Sequence, residues 1–269
     1  MDPLRGIPVL GDLPSVEGKR VLVRVDFNVP LHIGVRGRAT VADDFRITAA
    51  LPTLRRLQEE GADVVACSHL GRPGGRPDPR WEMDPVRARL QTLCPGVELT
   101  ENLRFDPGEK ANDPAYVERL IDGFDAYVDE AFGAAHRTHA SIVGPPRFLP
   151  SAAGLRFAKE VEVMGGILEQ PARPFVAVVG GAKVADKLEV LKVLATKVDT
   201  LVVGGGMAYT FLAAQGLHVG NSLLDEAHLG DCRRSWTPAW TSCSPPTPAP
   251  WSPGGPSGHR RWATGRGGV

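Results

Sequence analysis

Charged and polar side chains follow four apolar, β-type runs of this sequence, at the points where each run gives way to a turn. The motifs are RVDFNVP at 24–30, SHLGRP at 68–73, NLRF at 102–105 and AHRTH at 135–139. They supply Asp26, Asn28, His69, Arg72, Arg104 and Arg137. Ligands of open α/β sheets bind outside the carboxyl ends of the strands, so we expect these side chains at one site. Guanidinium groups match phosphate and carboxylate geometry, and Asp and Asn can hold hydroxyls, which predicts a small, multiply anionic, hydroxylated substrate.

A second group of residues has the chemistry to bind nucleotide phosphates. The segment VAVVGGAKVADK at 176–187 is predicted as a strand, a glycine turn and the start of a helix. Glycines let a phosphate approach the backbone, and a helix N-terminus carries partial positive charge. Lys183 and Lys187 would share one helix face, and glycines at 204–206 repeat the arrangement after the next strand. Because the pattern is neither a Walker motif nor G-x-G-x-x-G, a plain turn with solvated lysines remains an alternative.

Strand-like and helix-like patterns alternate along most of the chain. Strands are predicted at 20–25, 63–67, 97–99, 126–128, 175–179 and 200–203. Helices are predicted at 49–60, 85–93, 114–121, 154–168, 186–197 and 207–215. This alternation predicts an α/β fold with a Rossmann-like parallel sheet and helices on both faces, followed by a second α/β domain.

Proline, glycine and a shift of composition divide the chain into four predicted segments. These are a first domain at 1–153, a connecting helix and hinge at 154–171, a second domain at 172–231 and a tail at 232–269. The tail is rich in Pro, Ser and Trp and has no helical or strand period, so we expect it to be disordered. Its abrupt start favours a shifted reading frame. A genuine Pro-rich tail that binds a partner, or a splicing or cloning artefact, are the alternatives.

Composition excludes several classes of function. The 31 basic and 31 acidic side chains give zero net charge, which supports neither a nucleic-acid partner nor a membrane surface. The cysteines at 67, 94, 232 and 243 show no C-x-x-C pairing, so we expect reduced thiols in a cytoplasmic protein and no metal site. The N-terminus lacks the apolar core of a signal peptide. Residues 200–217 are uncharged, but the glycines at 204–206 split them into pieces too short to span a membrane.

Eight collinear motifs identify the family that the chain resembles. They are RVDFNVP, DDFRI, SHLGRP, ENLRF, HRTHAS, FLPSAAG, GGAKV and GGGMA. From about residue 18 to 229, the chain resembles phosphoglycerate kinase, which moves a phosphoryl group between 1,3-bisphosphoglycerate and ADP in glycolysis. Because several collinear motifs are more specific than any one alone, we expect this fold and this reaction class.

The resemblance implies roles for residues at matching positions. Substrate-binding residues would be Asp26, Phe27, Asn28, Arg46, His69, Leu70, Gly71, Arg72, Arg104 and Arg137. Arg46 and Lys183 would be catalytic, since both would reach the transferring phosphoryl group. Gly181, Lys183, Lys187 and Gly205 would bind the nucleotide. The implied cofactor is ATP or ADP with Mg²⁺, the implied ligands are 3-phosphoglycerate and 1,3-bisphosphoglycerate, and we expect a monomer.

The chain departs from the family pattern after residue 229. No ribose-binding acidic residue, no Gly-Gly-Asp-Thr-like loop for metal and phosphates, and no closing C-terminal segment is found. We therefore expect an incomplete nucleotide domain with exposed apolar faces. Two hypotheses follow: phosphoglycerate kinase-type transfer that is impaired in this chain, or a non-catalytic fragment that only binds 3-phosphoglycerate. A third is a Pro-rich adaptor tail on an inactive enzyme.

Overall fold

The chain forms two compact units. The computed structural model describes residues 4, 6–34, 37 and 39–235, together with the backbone of 240–242. Unit 1 is Met1–Gln170 and unit 2 is Pro171–Val269. The helix at the end of unit 1, predicted as a separate connecting segment, groups with unit 1.

Unit 1 is built on a five-stranded parallel sheet. The described residues of the unit contain seven strands, five of which form this sheet. The seven are β1 (Arg20–Arg24), β2 (Leu31–Ile33), β3 (Ala39–Val41), β4 (Asp63–Cys67), β5 (Glu98–Leu99), β6 (Ala126–Asp129) and β7 (Ser151–Ala153). The sheet order is β5-β4-β1-β6-β7, and β2 and β3 form a separate antiparallel hairpin. At the centre of the sheet, Leu22 of β1 lies opposite Val65 of β4 on one side and Tyr127 of β6 on the other.

Helices cover both faces of this sheet. They are α1 (Phe45–Glu59), α2 (Asp84–Leu93), α3 (Pro107–Ala111), α4 (Pro114–Ile121), α5 (Ala140–Val143) and α6 (Leu155–Glu169). Val21 and Val23 pack into the core that α1 and α2 complete, while Leu22 packs on the other face with Tyr127 and Leu120. A strand that is buried on both faces reads as a continuous apolar run, which is why VLV marks the centre of this sheet. The predicted Rossmann-like α/β fold is confirmed.

The start of α6 is held by a buried carboxylate. Glu130 follows β6 directly and accepts hydrogen bonds from the Thr53 hydroxyl (2.9 Å) and from the backbone N–H groups of Arg156 (3.2 Å) and Phe157 (3.4 Å). A Cβ on Gly154 would lie 2.0 Å from Glu130 Oε2, so only glycine fits there. Because the carboxylate is enclosed, burial raises the pKa of Glu130 to about 7, against the lowering effect of these donors.

Unit 2 is a smaller parallel sheet with one covered face. Its elements are β8 (Val176–Gly180), α7 (Leu188–Ala195), β9 (Thr200–Gly204), α8 (Met207–Ala214), α9 (Leu229–Ser235) and β10 (Trp240–Ser242), in sheet order β10-β9-β8. Leu201 and Val203 pack with Phe211 and Leu191 on one face. On the other face, Val178 is 75% exposed. The second sheet is therefore incomplete, and it exposes apolar side chains on its open face.

Two parts of the segment predicted as a disordered tail form regular secondary structure. Helix α9 runs from Leu229 through Ser235, and β10 pairs in parallel with β9. The helix continues because Cys232 is fully buried against the unit 2 core, an anchor that composition alone does not reveal. The rest of the predicted tail, residues 236–239 and 243–269, lies outside the described residues. Within the described part of the chain, no helix has the length and apolarity needed to cross a bilayer.

Candidate anion-binding sites

The loops that follow β1 and β4 meet through side-chain hydrogen bonds in unit 1. Asn28 Oδ1 accepts the backbone N–H of Gly71 at 2.9 Å. The Asp26 carboxylate accepts the N–H of Asn28 at 3.3 Å and is paired with the Arg46 guanidinium. The structure thus brings together four of the predicted substrate-binding residues at the carboxyl ends of two neighbouring strands, where α/β sheets bind ligands.

The loop after β4 is clamped from a third element. Asn102 Oδ1 accepts the N–H groups of Leu70 (3.2 Å) and Arg104 (3.1 Å), and Asn102 Nδ2 donates to the carbonyls of Leu70 and Trp81 (both 2.8 Å). Gly71 has φ +60°, and a Cβ there would lie 2.1 Å from the Trp81 ring. The loop therefore needs glycine both for its left-handed backbone and for the close approach of the indole.

Arg104 is a buried cation with one unpaired hydrogen-bond donor. Its NH1 donates to the Gly71 carbonyl at 2.7 Å, and the residue is 6% exposed. Its Nε is the one fully buried side-chain nitrogen or oxygen of the described residues that has no hydrogen-bond partner. Burial, and then the charges of Arg137 and Arg24, lower the pKa of Arg104. An unpaired buried N–H carries a free-energy penalty, and because this Nε is fully enclosed, a bound anion would have to contact other atoms of the guanidinium.

His69 is neutral and lies among these cations. The residue is 4% exposed, and its Nδ1 lies 3.1 Å from NH2 of the buried Arg24. Burial lowers the pKa of His69 to about 2, with further lowering by the charges of Arg24, Arg104 and Arg137. The imidazole is thus in contact with one guanidinium group and lies within electrostatic range of two others. A cluster of this kind attracts multiply charged anions.

The remaining predicted residues of unit 1 differ in how they can contribute. Arg72 is exposed and Arg137 is half-buried, and both lower the pKa of Arg104 through their charge. Phe27 and Leu70 are fully buried in the hydrophobic core, so their side chains cannot touch a ligand. They can contribute only through the backbone, and the N–H of Phe27 already donates to the Ser68 hydroxyl at 2.8 Å.

Sequence reasoning missed the residues that support the site from behind. Arg24 is 1% exposed inside β1, and Glu109 and Ser141 are fully buried. A charged residue within the apolar run VLVRV was a usable signal for Arg24, since an unpaired charge is rarely buried. Glu109 and Ser141 carry no such signal, because their partners are distant in sequence.

In unit 2, the two predicted glycine turns lie against each other. Gly205 has φ +71°, and a Cβ there would lie 2.9 Å from the carbonyl oxygen of Gly181. The N–H of Met207 donates to that same carbonyl at 2.9 Å. Lys187 folds back over the first turn, where its Cε lies 3.5 Å from the position of a Gly181 Cβ. The turns therefore present bare backbone at the carboxyl ends of β8 and β9, beside an exposed ammonium group.

The predicted helical pairing of Lys183 with Lys187 is wrong. Lys183 lies in the turn before a 3-10 segment, Ala185–Lys187, and α7 begins only at Leu188. The turn after the first pair of glycines is longer than predicted, so both lysines precede α7. Both lysines are exposed. The hydrogen bond from His228 lowers the pKa of the Asp225 carboxyl, and the charge of Lys183 adds to this lowering.

This arrangement fits the phosphates of a nucleotide better than it fits a metal ion. Glycine backbone and exposed lysines are suited to phosphate oxygens. Within residues 6–34, 37 and 39–235, no group of three or more His, Cys, Asp or Glu side chains could hold a metal ion. We therefore assign no step to protein-held Mg²⁺.

Fold and sites together define an α/β protein with a cationic cluster at the carboxyl ends of one parallel sheet and paired glycine turns at those of a second. The family model described as phosphoglycerate kinase matches residues 10–99 and 95–241. The chain belongs to the phosphoglycerate kinase family, as the motifs predicted.

Similar proteins agree with this assignment. The phosphoglycerate kinase of Rubrobacter xylanophilus is 49% identical over 82% of this chain and 61% of its own length. That of Moorella thermoacetica is 48% identical over 79% and 59%. The solved structure of phosphoglycerate kinase from Coxiella burnetii superimposes with a TM-score of 0.76 at 36% identity, covering 86% of this chain and 62% of that one. The chain thus spans about three fifths of the length of these relatives.

Proposed function

We propose that unit 1 binds 3-phosphoglycerate and 1,3-bisphosphoglycerate, and that the reaction class is phosphoryl transfer between 1,3-bisphosphoglycerate and ADP. The observation that carries the proposal is the cluster of cations Arg24, Arg104 and Arg137, whose charges act on the neutral His69. A ligand with a phosphate and a carboxylate would supply acceptors to this cluster. Asp26 and Asn28 are then available to orient a hydroxyl.

The roles of individual residues follow from charge. Phosphoryl transfer needs positioning and neutralisation of the equatorial oxygens rather than covalent help from the protein. We propose that Arg104, Arg137 and Arg72 hold the non-reacting phosphate and that Arg46 neutralises charge on the transferring group. In unit 2, Lys183 and Lys187 would bind the phosphates of ATP or ADP over the glycine turns. Bound nucleotide would bring Mg²⁺, which supplies further charge neutralisation.

We further propose that turnover by this chain is impaired. One face of the unit 2 sheet is open in the described residues, with Val176 49% and Val178 75% exposed. The sheet therefore packs on one face only, and we expect it to support a nucleotide site less well than a sheet covered on both faces. The alternative function is binding of 3-phosphoglycerate without turnover, which the same open face favours. Action as a monomer in the cytoplasm remains a prediction.

Binding of 3-phosphoglycerate to the full chain tests the unit 1 proposal. Calorimetric titration should give saturable binding that Arg104→Gln weakens by about 10- to 100-fold, because charge-assisted hydrogen bonds to a phosphate are lost. Arg119→Gln is the matched control, since Arg119 is an exposed arginine paired with Asp106 at 2.9 Å. No saturable binding, or equal affinity of the two variants, would contradict the proposal.

A coupled assay for ADP formation separates impaired transfer from binding alone. The comparison is the unmodified chain against an Arg46→Ala, Lys183→Ala double variant. Turnover that is slow but above that of the double variant supports the kinase proposal. Equal rates in the two proteins, with binding retained, assign the chain to the alternative.

A further inference from the structure

Arg24 makes the densest set of polar contacts behind the unit 1 site. Although it is only 1% exposed, each nitrogen of its guanidinium has a partner. Nε donates to the Ser141 hydroxyl at 2.9 Å, NH1 donates to the Val25 carbonyl, and NH2 lies 3.1 Å from Nδ1 of His69. The last of these contacts joins a buried residue of β1 to a candidate ligand-binding side chain.

The contact with Arg24 determines where the His69 proton lies. A guanidinium group has donors and no acceptor, so Nδ1 must accept and cannot carry a proton. The proton of the neutral ring is then on Nε2, which has no hydrogen-bond partner among the described residues and is not among their fully enclosed unpartnered atoms. Nε2–H is therefore a donor left available for a ligand oxygen.

The charge of Arg24 is balanced through a relay that points away from the site. Ser141 accepts from Arg24 and its hydroxyl donates to Glu109 at 2.7 Å, while the Ser141 backbone N–H donates to the same carboxylate at 3.0 Å. Glu109 is fully buried in α3, and His139 Nδ1 lies 3.6 Å from it. The relay fixes the guanidinium in place, so Arg24 cannot turn from His69 to the ligand without breaking buried hydrogen bonds.

We propose that Arg24 is a positioning residue that holds His69 as the neutral Nε2–H tautomer, so that His69 binds the anionic substrate as an uncharged donor. This inference rests on the proposed function of the same site. Its consequence is that substrate binding does not require protonation of His69. The groups acting on the imidazole are Arg24 from β1, Arg104 from the turn after β5, and Arg137 and His139 from the segment before α5. All are cationic or neutral, so none of them favours an imidazolium ion.

Nitrogen-15 NMR of the full chain tests the tautomer directly. We expect the His69 nitrogens to show a protonated Nε2 and an unprotonated Nδ1, unchanged between about pH 8 and pH 5.5, where an ordinary histidine titrates. In Arg24→Met the imidazole loses its fixed donor, so we expect a mixture of the two neutral tautomers, while burial and the charges of Arg104 and Arg137 still disfavour the imidazolium ion. A protonated Nδ1 in the unmodified chain, or unchanged His69 signals in Arg24→Met, would overturn the proposal.

Substrate affinity against pH supplies the second measurement. Relative to the unmodified chain, Arg24→Met should bind 3-phosphoglycerate at least about twofold more weakly at both about pH 5.5 and about pH 8, because only part of its imidazole population then presents Nε2–H. Taking the ratio of the two proteins removes the titration of the ligand phosphate. Equal affinities of the two proteins, or a ratio that changes with pH over this range, would overturn the proposal.

Two further variants guard against misfolding. Arg24→Lys keeps one charged donor and should restore the single tautomer, and Ser141→Ala leaves Arg24 present but without its anchor, so partial mixing is expected. If Arg24→Met does not fold and Ser141→Ala behaves like the unmodified chain, the relay has no part in positioning and the proposal fails. If His69 shows the expected tautomer while no protein binds 3-phosphoglycerate, the proposed function fails and the assignment of Arg24 stands.

Discussion

The two units build their candidate anion sites in different ways. Unit 1 uses side chains that are buried and hydrogen-bonded to one another, with Arg24, His69, Asn102 and Arg104 all at most 6% exposed. Unit 2 uses bare backbone, where Gly181 and Gly205 approach closely and the two lysines stand in solvent. This contrast indicates that a site made of buried polar groups is part of the folding core. A site made of glycine turns is nearly independent of the side chains that complete it.

The two sheets differ in the same sense. The central strands β1 and β4 of unit 1 are covered on both faces, while β8 alternates between exposed and half-buried residues. Substitutions at the first site should therefore change stability and binding together, and substitutions at the second should separate them.

The largest expected effect is on a buried charge of unit 1. Arg24→Met removes the donor to the Ser141 hydroxyl and the buried charge that the relay connects to Glu109. Breaking a buried ionic network by removing one member costs about 3–5 kcal/mol. Hydrogen exchange of the β1 amides measures the loss. Lys183→Met is the control in unit 2, where an exposed lysine should change the exchange of β9 amides by less than about 0.5 kcal/mol. Similar losses in the two variants would remove the contrast between the units.

A pH dependence specific to unit 1 comes next in size. The pKa of Glu130 is raised from 4.5 to about 7, so the folded state binds this proton more tightly than the unfolded state does. The resulting stabilisation is complete below the unfolded pKa, and about 3 kcal/mol is lost as pH rises toward the folded value. Denaturant unfolding across this range should show that slope in the unmodified chain.

The Glu130→Gln variant supplies the comparison for this slope. It removes the titrating group while His69, whose lowered pKa acts with the opposite sign, stays in both proteins. The difference between the two unfolding curves should therefore depend on pH. A difference that is constant with pH would contradict the raised pKa.

A smaller effect is expected from the backbone approach in unit 2. Gly205→Ala places a Cβ 2.9 Å from a backbone oxygen that cannot rotate away, while Gly216→Ala has a similar φ of +86° and nothing within 4 Å. Both variants carry the cost of a left-handed backbone, so their difference isolates the collision, which we expect at about 1–3 kcal/mol. Thermal unfolding of the two variants measures it. Equal stabilities would show that the turns do not need this approach.

The smallest effect concerns the open face of the unit 2 sheet. Val178→Ser should change the free energy of unfolding by less than about 0.5 kcal/mol, since the valine side chain buries little apolar surface. Val203→Ser, on the covered face of the neighbouring strand, should cost about 2 kcal/mol or more. Light scattering should also show less self-association for Val178→Ser. A large loss of stability in that variant would show that the face is covered after all.

Elements with strong burial patterns were predictable from the sequence. The predicted bounds of β4 and α4 agree with the structure, because an apolar run and a capped amphipathic segment each bury a well-defined face. The β2–β3 hairpin was missed, since its strands are three residues long and largely exposed. The continuation of α9 was missed for the opposite reason, because one buried cysteine, Cys232, lies in a polar stretch.

The sequence predicted the residues of the site that follow strand ends, and not the residues that hold them. Strand ends marked Asp26, Asn28, His69 and Arg104, because polar residues after apolar runs share one edge of the sheet. The clamp by Asn102 and the relay from Glu109 depend on hydrogen bonds between residues about thirty or more apart in sequence. No local pattern encodes such pairs.

The indole of Trp81 gives the molecule an optical reporter of its own. Its ring lies against Gly71, and its carbonyl is held by the residue that also positions Arg104. Filling the unit 1 site would alter the charge beside this chromophore, so its emission should respond to occupancy without any added label. Substituting the four later tryptophans with phenylalanine would leave this single signal to follow binding in real time.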